Sequence, residues 1–285
     1  MRVVGFTLVS SAVRLDFPIL ESLRSILPLC EELVVNVGPS SDGTLELVRS
    51  LDDPRLRIVE GPWDPSLGGR VLAVETQRAL DLCRGDWAIY IQADEVLHEA
   101  GLERLSSAMA DARDDARVEG LLVDFVHFYG SVDWVAGGRA WYNREVRVVR
   151  PGGAFVSHAE AQGFRRRDGS RIRARQSHAT YHHYGWARPM AVLAAKREAD
   201  NALYYGGASR RSPLGERLPR EVGLARFAGS HPQVMESWIA ARRDAMSNGF
   251  APIRWTRRRL ALLAALGLER LTGWRPFEYR NYVEV

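Results

Sequence analysis

Apolar and polar positions along the first hundred residues follow two alternating periods. Short apolar runs that predict buried parallel strands lie at 3–9, 32–37, 56–59 and 87–91. Segments with the helical period lie between these runs, at 17–29, 44–51 and 71–82. Strands and helices that alternate at this spacing form βαβ units. The pattern therefore predicts an α/β fold in which helices flank a mostly parallel, Rossmann-like central sheet.

The second half of the chain has a weaker pattern. It predicts a helix at 102–112, strands at 121–129 and 145–149, and further helices at 189–205, 234–246 and 257–271. We therefore expect an α/β domain over 1–187, followed by a mainly helical C-terminal region over 188–285.

The segment 89–99 (IYIQADEVLHE) places acidic residues directly after a predicted strand. In parallel sheets, ligands bind beyond the carboxyl ends of the strands. The oxygen atoms of Asp94 suit Mg²⁺ or Mn²⁺, which would neutralise the charge on a departing diphosphate as a Lewis acid. The alternative is that Asp94 and Glu95 only begin a turn and cap the helix that follows.

The segment 32–44 (ELVVNVGPSSDGT) runs from a strand through a turn into the start of a helix. The free N–H groups and the positive dipole end of a helix favour anions. Asn36, at the strand end, could pair with the edge of a nucleobase. Asp42 or Ser41 could equally be an N-cap and nothing more.

Taken in this order, the two segments resemble the family-2 glycosyltransferases, whose patterns read like VVVxDGSxDGT and then FLDADE. The resemblance is clear over residues 3–100 and looser over the rest of the chain. It implies a GT-A fold, a nucleoside-diphosphate sugar as donor with UDP as the first candidate, a divalent metal, and inversion at the anomeric carbon. The acceptor would be a hydroxyl of a small molecule, a glycan or a lipid-linked molecule.

The resemblance assigns donor contacts to Thr7, Asn36, Asp42, Gln92, Ala93 and Asp94. Within this set, Thr7 and Asn36 would face the nucleoside, and Asp94 matches the second aspartate of the DxD motif. The chain departs from the pattern twice. Gln92 stands at the first acidic position, and Asn36 replaces the aspartate that reads the base, in a turn lengthened by one residue. A neutral amide can still bind a metal or a ribose hydroxyl.

A second polar cluster, YHHYGW, lies well after the acidic turn. In enzymes that the chain resembles, a histidine in such a place completes the metal shell, a role that fits His183 or His182. Neutral imidazole is a ready metal ligand, and Tyr184 or Trp186 could stack on a sugar or a base. The alternative is that both histidines are structural.

Inverting transfer also needs a general base, which takes the proton of the attacking hydroxyl. Glu160, in the segment VSHAEA, is the first candidate, and Glu145 and Asp133 are alternatives. Each of the three could instead be an exposed carboxylate with no catalytic role. Arg147 and Arg150, on or just past a predicted strand, could approach the diphosphate or lie on a solvent face.

Composition narrows the remaining classes of protein. Cys30 and Cys83 form no paired motif, so neither a disulfide framework nor a zinc site is predicted. The net charge is +4, and of 39 lysine and arginine residues only Lys196 is a lysine. The sequence shows no nucleic-acid-binding motif, secretory leader or membrane span. We therefore expect a cytoplasmic protein without nucleic-acid partners.

The basic segment 254–259 precedes the apolar run LALLAALGL. This segment could lie on the anionic inner face of a membrane, where lipid-linked acceptors occur. A packing helix with a basic flank is the alternative. If the resemblance holds, the C-terminal region would serve the acceptor side or form a homodimer.

Two other functions compete with a glycosyltransferase. A nucleotidyltransferase would need a glycine-rich basic loop after the first strand, where this chain has SSAVR. A non-catalytic sugar-nucleotide-binding protein with a degenerate metal site is favoured by Gln92. Glu95 and Glu99 argue against that second alternative, because they keep the region acidic.

Overall fold

A computed structural model describes residues 1–205, 217–246, 249–253, 255–275 and 278–285. Its strands are β1 (Val3–Val9), β2 (Glu32–Val37), β3 (Leu56–Glu60), β4 (Trp87–Tyr90), β5 (Glu95–Leu97), β6 (Gly120–Tyr129), β7 (Ser131–Ala136), β8 (Arg144–Val149), β9 (Phe155–His158), β10 (Gly163–Arg166), β11 (Ile172–Trp186), β12 (Leu218–Pro219), β13 (Leu224–Arg226), β14 (Phe250–Ala251) and β15 (Tyr282–Glu284). Its α-helices are α1 (Ile19–Ile26), α2 (Thr44–Arg49), α3 (Arg70–Leu80), α4 (Leu102–Asp111), α5 (Met190–Tyr205), α6 (Glu236–Ala240) and α7 (Arg257–Thr272).

The central sheet has the order β13-β7-β6-β8-β4-β1-β2-β3, and β11 joins it by pairing with β6, β5 and β15. Strands β4, β1, β2 and β3 run parallel to one another. Strand β8 then adds to β4 in the antiparallel direction, whereas β11 and β6 are parallel. The predicted α/β class, a central sheet flanked by helices, is confirmed.

Two apolar layers cover the two faces of the sheet, because successive side chains of a strand point to opposite sides. On β1, Val3 and Val9 belong to one layer, and Val4, Phe6 and Leu8 belong to the other. Helices α1 and α4 complete the first layer, and α3 completes the second. A cleft opens at the sheet edge between these layers.

The C-terminal half differs most from the sequence prediction. Strand β11, fifteen residues long, was not predicted at all. The helix predicted at 234–246 is replaced by the five-residue α6 between two single 3-10 turns. Helices α5 and α7 lie where helices were predicted. The boundary between 1–187 and 188–285 stays a prediction.

The predicted membrane-facing segment is described only in part, because Arg254 lies outside the described residues. On α7, Leu260, Leu263 and Leu271 are exposed. Within the ranges that the structure describes, no helix combines the length and the apolar character needed to cross a membrane. Contact with a membrane surface and homodimer formation both stay predictions.

A buried ion pair joins the first residue of β5 to β8. The Arg147 guanidinium donates to both carboxylate oxygens of Glu95, at 2.9 and 2.6 Å, and neither side chain is exposed to solvent. Burial disfavours the charged guanidinium, but the adjacent Glu95 carboxylate outweighs this effect and raises the Arg147 pKa. Arg147 also donates to the Gln162 carbonyl oxygen at 2.7 Å. One side chain therefore connects three separate segments of the chain.

We predict that Arg147→Met lowers the free energy of unfolding by about 3–5 kcal/mol, because it leaves the Glu95 carboxylate buried without its partner. Urea denaturation measures this change. Arg49→Met is the matched control, since its ion pair with Glu60 is more than half exposed and should contribute far less. Equal stabilities of the two variants would contradict the role given to the buried pair.

Candidate active site

A cleft of about 480 Å³ lies beyond the carboxyl ends of β1 and β4. Segments from distant parts of the chain line it, contributing Ser10, Ser11, Arg14, Phe17, Trp63, Gln92, Ala93, Asp94, Glu160, Ala161, His183, Trp186, Lys196 and Asp200 among others. Of the residues predicted to bind donor, metal or proton, the structure brings Gln92, Ala93, Asp94, Glu160 and His183 together here.

Asp94 is the charged centre of the cleft. Its Oδ2 lies 3.1 Å from Lys196 Nζ, 3.4 Å from Arg188 Nη2 and 3.7 Å from His183 Nε2. Burial alone would raise the Asp94 pKa, but Lys196, His183 and Arg188 together hold it well below its usual range. Asp94 is therefore an ionised carboxylate surrounded by cationic and imidazole groups.

Gln92 positions a neighbouring turn. Its Nε2 donates to the Ala161 carbonyl oxygen at 3.0 Å. Its own backbone is fixed as well, because its N–H donates to Glu95 Oε2 and its carbonyl accepts from Ser22 Oγ. The Gln92 amide therefore holds the segment that carries Glu160.

Glu160 lies in a strained turn between β9 and β10. Both of its neighbours, Ala159 and Ala161, have left-handed backbones, with φ of 54° and 61°. Residues other than glycine adopt this conformation only at a cost, which the surrounding structure must offset. The bonds from Gln92 to Ala161 and from Arg147 to Gln162 supply that support. The turn presents the exposed Glu160 side chain to the cleft.

The two alternative bases lie elsewhere. Glu145 is buried on β8, where it accepts from the Val146 N–H and from Gln162 Nε2, and burial raises its pKa. Asp133 forms an ion pair with Arg243 at 3.0 Å. Neither residue is among those that line the cleft. Of the three carboxylates, only Glu160 can meet a ligand there.

Three predicted donor contacts are not brought to the cleft. Thr7 is fully buried on the face of β1 that α1 covers. Asn36 points to the opposite face of the sheet, where its Nδ2 donates to the Glu75 carboxylate at 2.9 Å. Asp42 accepts from the Thr44 side chain and from the Arg14 backbone, so it orders the loop at the start of α2. Strand register directs Thr7 and Asn36 away from the cleft, and Asp42 is engaged within its own loop, where the N-cap of α2 is Gly43.

The two adjacent histidines point in opposite directions, as neighbours on a strand must. His182 is buried beside His98 and Phe128, and burial lowers its pKa to about 3. His183 faces the cleft, and its Nδ1 lies 3.0 Å from His127 Nδ1. His127 Nε2 is 2.7 Å from the Tyr142 carbonyl oxygen, to which it must donate. Of the two histidines predicted as metal ligands, only His183 is near Asp94.

The aromatic candidates divide in the same way. Trp186 lines the cleft, together with Trp63. Tyr184 is fully buried, and its hydroxyl is bonded to His231 Nδ1 at 2.9 Å. Stacking on a ligand is therefore open to Trp186 and closed to Tyr184.

Few side chains of the described residues are placed to hold a divalent cation near Asp94. Within the described ranges, no group of three or more histidine, cysteine, aspartate or glutamate side chains converges on one point. Asp94 Oδ2 already contacts Lys196 and Arg188, and the Gln92 amide nitrogen is bonded to the protein backbone. The predicted metal at Asp94 and His183 stays a prediction that depends on these two side chains alone.

Two cationic residues near Asp94 were not predicted from the sequence, and two predicted diphosphate contacts, Arg147 and Arg150, are engaged with other parts of the protein. Lys196 and Arg188 contact Asp94, and the only signal for Lys196 was that it is the single lysine. The suggested diphosphate contact of Arg147 is contradicted, because its side chain is fully buried against Glu95. Arg150 donates to the backbone carbonyls that follow α4 and stacks on Trp87.

No family model matches the chain, and no curated protein matches it in sequence. Several solved structures are similar to it in fold. S. aureus TarS 1–349 has 13% identity and a TM-score of 0.39, covering 71% of this chain and 65% of that one. The same fragment in complex with UDP-GlcNAc has 16% identity and a TM-score of 0.32, covering 45% and 35%.

The chain is also similar to glucosyl-3-phosphoglycerate synthase from Mycobacterium tuberculosis in complex with Mn²⁺, UDP and phosphoglyceric acid. That structure has 19% identity and a TM-score of 0.32, covering 44% of this chain and 43% of that one. The chain thus spans between 35% and 65% of the length of these three structures. The likeness concerns the fold and does not extend to ligands or reactions.

Gly185 leaves room for the Asp94 cluster. A Cβ atom added there would lie too close to His183 Nε2 and only 2.8 Å from Asp94 Oδ2. We predict that Gly185→Ala lowers the free energy of unfolding by about 1–3 kcal/mol, because these packed groups must move apart. Gly267→Ala on α7 is the control, since nothing lies within 4 Å of a Cβ there and alanine is favoured over glycine inside a helix by about 0.5–1 kcal/mol, so its stability should not fall. If Gly185→Ala does not lower the denaturant midpoint relative to the unaltered chain, the packing around Asp94 is looser than described.

Proposed function

We propose that the chain is a glycosyltransferase, which moves a sugar from a nucleoside-diphosphate donor to a hydroxyl acceptor with inversion. UDP is the first candidate for the nucleotide. One observation carries the proposal: Asp94, at the position of the DxD motif in the sequence resemblance, shares a single cleft with Glu160 and with cationic side chains. The cleft lies beyond the carboxyl ends of parallel strands, where α/β sheets bind ligands.

Each part of the cleft supplies one requirement of transfer. The acceptor oxygen attacks the anomeric carbon while the bond from that carbon to the diphosphate oxygen breaks. Glu160 is exposed and oriented into the cleft, so it can take the proton of the acceptor hydroxyl. Lys196 lines the cleft beside Asp94, and its positive charge can stabilise the negative charge that develops on the leaving diphosphate. Trp63 and Trp186 offer ring faces for a base or a sugar.

A non-catalytic sugar-nucleotide-binding protein is the second candidate. The observation that favours it is the use of Gln92, because the amide at the first acidic position is committed to the Ala161 carbonyl. Such a protein would bind the donor and leave it intact. Release of free nucleotide from a sugar donor separates the two candidates.

We predict that one nucleoside diphosphate among UDP, GDP, CDP and dTDP raises the thermal unfolding temperature of the full chain. A ligand that binds only the folded state shifts the folding equilibrium towards it. Differential scanning fluorimetry with each nucleotide, with and without added Mn²⁺, measures the effect, and adenosine diphosphate and free ribose serve as comparison ligands. Absence of a shift with every nucleotide under both conditions would argue against the proposed donor class.

We predict that Glu160→Gln reduces the transfer rate by about 10²–10⁴-fold, because the amide cannot accept the acceptor proton. Nucleotide binding should change little, since Glu160 is placed to meet the acceptor. The measurement is nucleotide release from the preferred sugar donor, with and without acceptor. Glu103→Gln, an exposed change of the same kind on α4, is the control. Full activity in the Glu160 variant would assign the base elsewhere.

A further inference from the structure

Lys196 occupies a position in the cleft where a cation is held in place. It lies on α5, and its ammonium group donates to Asp94 Oδ2 at 3.1 Å and to the Gly185 carbonyl oxygen at 3.2 Å. The Phe17 ring lies beneath the ammonium, with 5.4 Å between Nζ and the ring centroid. An ammonium has three protons to donate. The two bonds use two of these protons, and they fix the ammonium at the wall of the cleft that Lys196 lines.

Arg188 supports this arrangement from behind. It is fully buried, donates to the Leu15 carbonyl oxygen at 3.0 Å, and contacts Asp94 Oδ2 at 3.4 Å. It is not among the residues that line the cleft. Arg188 therefore neutralises part of the Asp94 charge from the protein side, and of the two cations that contact Asp94 it is Lys196 that lines the cleft.

The position of Lys196 favours contact with an anion. Lys196 and Arg188 both lie within 3.4 Å of Asp94 Oδ2, and Asp200, which also lines the cleft, adds a second negative charge that acts on both cations. At such distances in a buried site, charge interactions are much stronger than in water. A divalent cation placed against Asp94 Oδ2 would compete with Lys196 and Arg188, whereas a diphosphate would be attracted to Lys196.

We infer that Lys196, held by Asp94 and the Gly185 carbonyl, binds the diphosphate of the donor in the place of a divalent cation. The inference rests on the proposed function, because it assumes a nucleoside-diphosphate donor. Gln92 fits the same arrangement. A carboxylate at that position would add a second negative charge suited to a metal, whereas the amide carries none and holds the Glu160 turn.

The test uses UDP and the full-length chain, in EDTA and again with excess Mn²⁺. We expect isothermal titration to give UDP affinities within about threefold of each other under the two conditions. Lys196→Met should weaken UDP binding in EDTA by about 10- to 100-fold, because a charge-assisted contact is lost. Lys196→Arg should keep part of the affinity, since it keeps the charge. Arg104→Met, which removes an exposed cation on α4, is the matched control.

A second measurement uses the unaltered chain, so it does not depend on whether a variant folds. Because Lys196 is the only lysine, an amine-acetylating reagent can modify only this side chain and the chain's own N-terminal amine. We expect UDP in EDTA to protect Lys196 from acetylation, as followed by mass spectrometry, while the N-terminal amine continues to react. Unchanged acetylation of Lys196 under saturating UDP would overturn the inference.

Two further outcomes separate this inference from the proposed function. If UDP binds only when Mn²⁺ is present, and Lys196→Met binds it as the unaltered chain does, the inference is overturned and the glycosyltransferase proposal stands. If neither UDP nor another nucleoside diphosphate binds under either condition, the proposed function fails and the inference fails with it.

Discussion

The buried ion pair of Glu95 and Arg147 is the interaction on which the site depends. It is bidentate and fully shielded from solvent, so its geometry must offset the large cost of removing two charges from water. Glu95 belongs to the turn that carries Asp94, and Arg147 continues to the Gln162 carbonyl beside the Glu160 turn. The two sides of the cleft are thereby fixed relative to each other through one side chain.

Around this pair, polar groups act as supports more often than as ligands. Gln92 and Arg147 both hold the segment 159–162, in which two alanines adopt left-handed backbones. Strain of this kind persists only where the surrounding structure enforces it, and such places are frequently functional. The Asp94 carboxylate is likewise enclosed by cations supplied from α5 and from the residues just before it. The cleft is therefore preorganised before any ligand binds.

The sequence predicted the parts of this structure that depend on local pattern. The β-branched runs gave β1 and β2 to the residue, and the abrupt acidic end of β4 placed Asp94 in the cleft. Strand β11 was missed because RARQSHATYHHYGW lacks a regular apolar alternation. The face of the sheet to which Asn36 points could not be predicted from the local sequence pattern either, because a shift of one residue in strand register turns every side chain to the other face. The Lys196–Asp94 contact joins residues 102 positions apart, which no periodicity reports.

The long strand β11 also determines when the site can exist during synthesis. Asp94 and the turn around it are made early, but β5 pairs with β11 across residues Glu95 and His183, and the cation that meets Asp94 follows on α5. A ribosome-bound chain that has not yet exposed residue 196 lacks the ammonium that contacts Asp94 in the complete fold. The cleft as described can therefore form only after most of the chain has been synthesised, and ligand binding would report that this long-range pairing is complete.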